Sequence, residues 1–304
     1  MQTPLDYVLG ANLENLTLLS SAIKGTGNEL ANSLVGNASN NLLIGGLGND
    51  TINGSTGVDV MQGGADNDIL SDTSGVNLFD GGSGTDTLTG GVSNELFVGG
   101  TGNDTITTST GFDVIAFNYG DGQDIINAST GKDNTISLGG AGMNYANLNF
   151  HRATNDLILD VGEANQLTLK SWYAAATNKS VAKLQVIEEA MVGYNPAAVD
   201  PLLNKKVQVF DFTTLVNAFD TATGGASNVN WALTNQLLAA HLAASSGDAA
   251  ALGGELAYYY GKNNTLAGVG FTPAQSILNT VGFGQNVQAF LPVGQITSGT
   301  IKLS

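Results

Sequence analysis

The sequence predicts a mainly β protein whose body is a β-solenoid, followed by a β cap and a small helical C-terminal region. Three observations predict it. A nine-residue repeat runs unbroken from Gly27 to Ala116; the 304-residue chain has 41 glycines against five prolines; and its acidic charge is concentrated in the repeat. Gly27–Ala116 holds 19 of those glycines and eleven Asp and Glu, with no Lys or Arg. An ordinary solvated acidic surface would mix in basic residues, so this segregation belongs to the repeat.

Written in rows of nine from Gly27, the segment fills ten registers without insertion or deletion. The fullest rows begin Gly45-Gly-Leu-Gly-Asn-Asp50, Gly63-Gly-Ala-Asp-Asn-Asp68, Gly81-Gly-Ser-Gly-Thr-Asp86 and Gly99-Gly-Thr-Gly-Asn-Asp104. Position eight is always apolar: Leu34, Leu43, Ile52, Met61, Leu70, Phe79, Leu88, Phe97, Ile106 and Ile115. Position six reads Asn32, Asn41, Asp50, Asp59, Asp68, Asn77, Asp86, Glu95, Asp104 and Asp113. Six Gly- and Asp-rich residues suit a tight turn, with Gly supplying positive φ. The next three suit a short strand whose middle side chain points inward.

Composition excludes much else. Collagen needs Gly every third residue and abundant Pro; simple disorder does not fit a chain that is 42 % hydrophobic. A formal charge of −16 opposes nucleic-acid binding. The absence of Cys rules out disulfides, a thiolate zinc site and a cysteine nucleophile. No apolar run reaches the ~18 residues of a membrane span, and Met1–Gly10 does not read as a signal peptide. With only His151 and His241 there is no H-E-x-x-H, and neither a G-x-S-x-G elbow nor a P-loop is present. The chain therefore reads as a non-enzyme.

The rows follow G-G-x-G-x-D-x-U-x, the calcium-binding nonapeptide of the repeats-in-toxin (RTX) proteins, and the chain resembles that haemolysin-type family. The resemblance implies a right-handed parallel β-roll with two nonapeptides per coil, so that successive turns alternate between two edges. One edge then carries Asn32, Asp50, Asp68, Asp86 and Asp104. After a two-residue insertion, Phe117-Asn118, it continues to Asp124 in Gly120-Asp-Gly-Gln-Asp124. The other edge carries Asn41, Asp59, Asn77, Glu95 and Asp113, and departs from the motif in its turns. Metal is expected mainly along the Asp50–Asp124 edge, with Asn77 and Glu95 weakening the second.

Calcium suits such a ladder. Coils ~4.8 Å apart place like charges close enough to repel by roughly 3 kcal/mol at an effective dielectric of 20. A cation between turns reverses that sign. Ca²⁺ accepts six to eight oxygens in tolerant geometry, whereas Mg²⁺ demands a stricter octahedron and zinc favours His or Cys. The expected first-edge ligands are the carboxylates of Asp50, Asp68, Asp86, Asp104 and Asp124, together with turn oxygens at Gly46, Gly48, Gly64, Asp66, Gly82, Gly84, Gly100 and Gly102. Asp59 and Asp113 are the second-edge candidates. The alternative is a metal-free solenoid whose Asp residues only form turns.

The expected organisation is lead-in strands over 1–26, the calcium-binding roll over 27–136, a capping segment over 137–189, and a mixed, mostly helical region over 190–304. Tyr7–Leu18 alternates as a lead-in strand would. Leu148–Leu159 and Gln166–Tyr173 resemble the haemolysin-type segment that closes many such rolls, with Asn155-Asp156-Leu157 and Trp172-Tyr173 as hallmarks. Beyond it, Lys205–Phe210 reads as a strand or connector, Asp211 as a helix N-cap, and Thr272-Pro-Ala-Gln275 as a helix start with Thr as cap. Stripes at Leu233, Leu237, Leu238 and Leu242, and at Leu252, Leu256, Tyr259 and Tyr260, suggest a small helical bundle over 205–285. His151, Arg152 and His241 read as packing or surface residues.

The family resemblance implies a secreted or cell-surface protein of a Gram-negative bacterium, exported by type I secretion machinery and folded by extracellular calcium. The chain then reads as the C-terminal piece of a longer protein, with Gln295–Ser304 as an uncleaved signal. The alternatives are a surface-layer or adhesin segment that self-associates on calcium, and self-processing at Asp200-Pro201.

Overall fold

The structure, a computed structural model, describes residues 1–243, 247–292 and 294–304. Each nonapeptide folds as a turn followed by a strand. Ser33–Val35, Thr51–Asn53, Ile69–Ser71, Thr87–Thr89 and Thr105–Thr107 stack in parallel in a first sheet. Leu42–Leu47, Val60–Ala65, Leu78–Gly84, Leu96–Gly102 and Val114–Asn118 stack in parallel in a second. Leu34 pairs with Ile52, Ile52 with Leu70, Leu70 with Leu88 and Leu88 with Ile106. One coil is therefore two nonapeptides, and the chain is a parallel β-roll.

All ten position-eight side chains are fully buried between the sheets, each burial contributing about 1.5–3 kcal/mol. Phe79 and Phe97 stack with ring centroids 4.9 Å apart, a spacing that matches the strand repeat. Close stacking of the turns needs glycine. Gly46, Gly64, Gly82 and Gly100 pair in one column. A methyl group on Gly82 would lie 2.1 Å from the carbonyl oxygen of Gly64, and φ there is 102°, a region that L-residues avoid.

The insertion Phe117-Asn118 forms the end of the strand Val114–Asn118 and lengthens the coil. Past it the first-sheet register jumps, pairing Ile106 with Ile126, and the second-sheet register pairs Ile115 with Ile136. At the front, Gln2–Thr3 and Tyr7–Val8 pair in parallel onto Asn15–Leu18 and Lys24–Thr26.

At the far end both sheets change from parallel to antiparallel. Asn165–Leu169 adds in parallel to Gln123–Ile126 and then carries Asp156–Gly162 and Asn149–Ala153 as an antiparallel hairpin. Val181–Ile187 adds in parallel to Asn134–Gly139 and then pairs antiparallel with Val207–Asp211. Trp172 is buried beside Phe212, their ring centroids 5.7 Å apart. These rings close the end of the coil, which would otherwise expose apolar side chains and strand edges.

Four α-helices follow among the described residues: α1 (Phe212–Thr223), α2 (Leu237–Ala240), α3 (Gly254–Asn263) and α4 (Phe271–Leu278). The Asp211 side chain caps α1, accepting from the Thr214 amide at 2.6 Å. Helix α4 differs from expectation. It starts at Phe271 after Gly270, which lacks a side-chain cap, and Gln275 instead donates to the Val58 carbonyl of the roll at 3.1 Å. The short helices leave 190–304 more mixed than mostly helical, and they form no single bundle. Phe212 and Phe219 of α1 pack on Phe150 of the cap. Helices α3 and α4 instead cover the outer face of the second sheet, where Leu256, Tyr260 and Ile277 join Leu42, Val60, Leu78, Leu96 and Val114 in one apolar layer.

That layer has a readable cause. Position seven is Leu42, Val60, Leu78, Leu96 and Val114 in the second-sheet rows, but Ser33, Thr51, Ile69, Thr87 and Thr105 in the others. In a strand, positions seven and eight face opposite sides. The second sheet is therefore apolar on both faces and needs a cover.

Candidate metal centre

The first edge is built by the turn that leaves the second sheet and enters the first. Its carboxylates form one continuous ladder. The amide of Asn32 donates to Asp50 Oδ1 at 2.7 Å, Asp50 to Asp68 at 2.7 Å, Asp68 to Asp86 at 2.8 Å, Asp86 to Asp104 at 2.8 Å, and Asp104 to Asp124 at 2.9 Å. Each carboxylate thus fixes the turn one coil below it. All five are at most 2 % exposed.

The second oxygen of these groups is the anomaly. Oδ2 of Asp50, Asp68, Asp86 and Asp104 is buried with no hydrogen-bond partner among the described residues. A methyl on Gly45 would meet Asp50 Oδ2 at 2.1 Å and the carbonyl oxygen of Gly63 at 2.5 Å; Gly63 and Gly81 repeat this against Asp68 with Gly81, and Asp86 with Gly99. Carboxylate and carbonyl oxygens therefore line one space in each turn, kept open by the absence of Cβ. Buried acceptors are normally satisfied, and an unpaired charge in low dielectric is costly. Burial pushes Asp50 and Asp86 up to about 6, Asp68 and Asp104 to about 7, and Asp124 to about 8, with neighbouring carboxylates adding to the shift at all of them but Asp86.

This donor set fits a hard divalent cation and nothing softer. Among the described residues no three His, Cys, Asp or Glu side chains cluster as a metal site, so a bound ion would draw on one or two carboxylates and on turn carbonyls. Gly46, Gly64 and Gly82 set their carbonyls against Gly64, Gly82 and Gly100 of the next turn. Gly48, Gly84 and Gly102 take positive φ in the same turns. Asp66 takes the place of a glycine at φ 75°, and its exposed side chain accepts from the Gly48 amide at 3.0 Å.

The second edge is also a ladder. Asp59 accepts from the Asn41 amide at 2.6 Å, Asn77 from Asp59 at 2.8 Å, Asp113 from Glu95 at 2.9 Å, and Asn134 from Asp113 at 3.0 Å. Burial lifts Asp59 to about 8 and Asp113 to about 7; burial and then the Asp113 charge lift Glu95 to about 10.

Sequence reading missed Asp121. It is buried, accepts from the Asn118 amide at 2.6 Å and from Tyr260 Oη at 2.9 Å, and so ties α3 to the last first-edge turn. The insertion that creates its turn is visible in the sequence, but a partner 139 residues away is not. His151 contacts Asp160 at 2.9 Å and His241 contacts Gln208 at 2.6 Å, each within the cap or the layer behind it. At Asp200-Pro201, Asp200 accepts from the Leu202 amide at 2.9 Å and the Pro201 carbonyl from Gln208 at 2.6 Å.

Fold and edge together define a class: a parallel β-roll whose turns present buried carboxylates and carbonyls to cations. Residues 26–61, 62–94 and 98–116 each match the family described as the RTX calcium-binding nonapeptide repeat (4 copies). The roll therefore carries RTX calcium-binding nonapeptide repeats, which supports the reading of the chain as an RTX-type protein. No curated protein sequence matches the chain. Proteins with these repeats are typically secreted, and no described helix is long and apolar enough to cross a membrane.

Proposed function

We propose that this chain is a calcium-triggered folding module that supports type I secretion of a larger protein. The observation that carries the reading is the first-edge ladder, with four buried carboxylates each leaving one oxygen unpartnered among the described residues. Without cations, those charges oppose the stacking that the apolar interior favours. Calcium binds the folded turns but not the extended chain, so binding and folding are one linked equilibrium. In a compartment poor in calcium the chain stays extended and exportable; outside, calcium closes the coils. The antiparallel cap offers a closed end on which coils stack, and calcium is loaded mainly along Asp50–Asp124. The segment Gln295–Ser304 is the proposed export signal. In the folded protein it packs on the roll, with Leu303 buried and the Ser304 amide donating to Gln62 Oε1 at 3.0 Å, so it is read before the roll closes.

Circular dichroism of the full chain tests the folding step. A large gain in β signal on moving from chelator to millimolar calcium is expected, and equal β content in both would reject it. Export is tested in a Gram-negative host carrying a type I exporter. The chain should reach the medium, and removing residues 295–304 should retain it in the cells; unchanged export would reject that signal. Calcium-dependent growth in light scattering would favour the surface-assembly role instead.

A further inference from the structure

The second edge departs from the repeat motif in its turns, yet it buries more unpartnered carboxylate oxygen than the first. Asp59, Asp72, Glu95 and Asp113 are at most 1 % exposed. Oδ2 of Asp59, Asp72 and Asp113 and both oxygens of Glu95 have no hydrogen-bond partner among the described residues. The surplus comes from two motif violations. Asp72 stands at position one, where the motif has Gly, and Glu95 at position six, where it has Asp.

Neither acid stands alone. A methyl on Gly54 would meet Asp72 Oδ2 at 2.2 Å and Asp59 Oδ2 at 2.6 Å, so these two oxygens, from adjacent coils, converge on one space. Their other oxygens are already used: Asp72 Oδ1 accepts from the Ser74 amide at 2.9 Å, and Asp59 Oδ1 from Asn41 at 2.6 Å. Glu95 and Asp113 pair across the next coil contact but one, close enough for the Asp113 charge to act on Glu95. Asp113 Oδ1 takes the Glu95 amide at 2.9 Å, leaving three open oxygens between the two groups.

The neutral members of the edge separate these pairs. Asn41 donates to the Ala22 carbonyl at 3.1 Å. Asn77 accepts from the Asp59 amide and donates to the carbonyls of Ser74 and Gly75. Asn134 accepts from Asp113 and donates to Thr108 Oγ1 at 3.0 Å. The asparagines are satisfied within the protein, and the acids between them are not. No basic residue is at hand, because 27–116 has none and every ion pair among the described residues lies outside it.

We propose that the second edge holds two cation sites in which a position-six aspartate is joined by a residue that departs from the repeat motif, Asp59 by Asp72 and Asp113 by Glu95. Each takes a calcium-class divalent ion, whose charge cancels the pair and whose flexible oxygen shell accepts carboxylates of different reach. This rests on reading the roll as calcium-loaded. It assigns roles to two residues that the motif counts as defects.

Calcium bound to the full chain is counted by native mass spectrometry and calorimetry, with far-ultraviolet dichroism in saturating calcium as the fold control. Asp72→Gly, which restores the motif residue, and Glu95→Gln are each expected to lose one bound ion with the fold kept, and the double variant two. A full complement in both folded variants overturns the proposal. Asp68→Asn separates the two readings. If it lowers the count while Asp72→Gly and Glu95→Gln do not, only the second-edge sites fall; if the unmodified chain binds no calcium, the folding reading falls as well. Crystals of the unmodified chain grown with terbium need no variant. Anomalous peaks between the members of both pairs support the sites, and peaks confined to the first edge overturn them.

Discussion

The amide of Asp68 donates to Oδ1 of Asp86, 2.8 Å away in the next coil, while the other oxygen of the same carboxylate is buried without a partner among the described residues. One oxygen holds the coils in register and the other is left for a cation. Hydrogen bonds to charged groups contribute about 1.5–3 kcal/mol, and about 1.4 kcal/mol is tenfold in an equilibrium constant. Replacing both residues, Asp68→Ala with Asp86→Ala, should therefore raise the calcium midpoint of folding at least about tenfold. A dichroism-monitored calcium titration checks it, and a midpoint within twofold of the unmodified chain would contradict the ladder.

Without metal, the pH dependence should run opposite to that of a salt-bridged protein. Burial raises the first-edge carboxylates from 3.8 to about 6–8 in the folded state. The folded chain then binds more protons than the unfolded one, and its stability falls as pH rises. This stabilisation is complete below about pH 4 and is lost as pH climbs through about 6 to 8. In chelator, thermal melts should show a higher midpoint at pH 5 than at pH 8. Millimolar calcium at pH 8 should restore the midpoint.

Coil stacking should fail at a single methyl. Gly82→Ala places Cβ against the Gly64 carbonyl at φ 102°, and strained backbone of this kind costs about 1–3 kcal/mol. Gly10→Ala, with nothing within 4 Å, should be nearly neutral. Calcium-loaded melting temperatures compare the two; equal values would remove the glycine column from the account.

Leu78→Ala should cut into the layer beneath α3 and α4, because Leu78 is fully buried there. Large-to-small core changes of this type cost about 2–5 kcal/mol. The loss should appear first as faster proteolysis within 254–304. The repeats, whose interior side chains at position eight are untouched, should stay protected.

The repeat alone determined a great deal here: ten registers of nine, an inward apolar residue at position eight, and an acid at position six in alternating turns. These are local facts, since turn chemistry and strand period are set by neighbours along the chain. The alternation at position seven was equally present in the sequence, and it marks the second sheet as apolar on both faces. What covers that face was not legible, because Leu256, Tyr260 and Ile277 reach it from far along the chain, and short helices carry no address in their periodicity. Asp211 announced its cap within three residues, whereas Gln275, which looked like part of a cap, turned to the roll. The same limit applies at the metal edges. Spacing showed which acids share an edge, but a motif scores Asp72 and Glu95 as defects. Only coiling, which brings Asp72 against Asp59 and Glu95 against Asp113, shows that each meets a second buried carboxylate with an oxygen to spare.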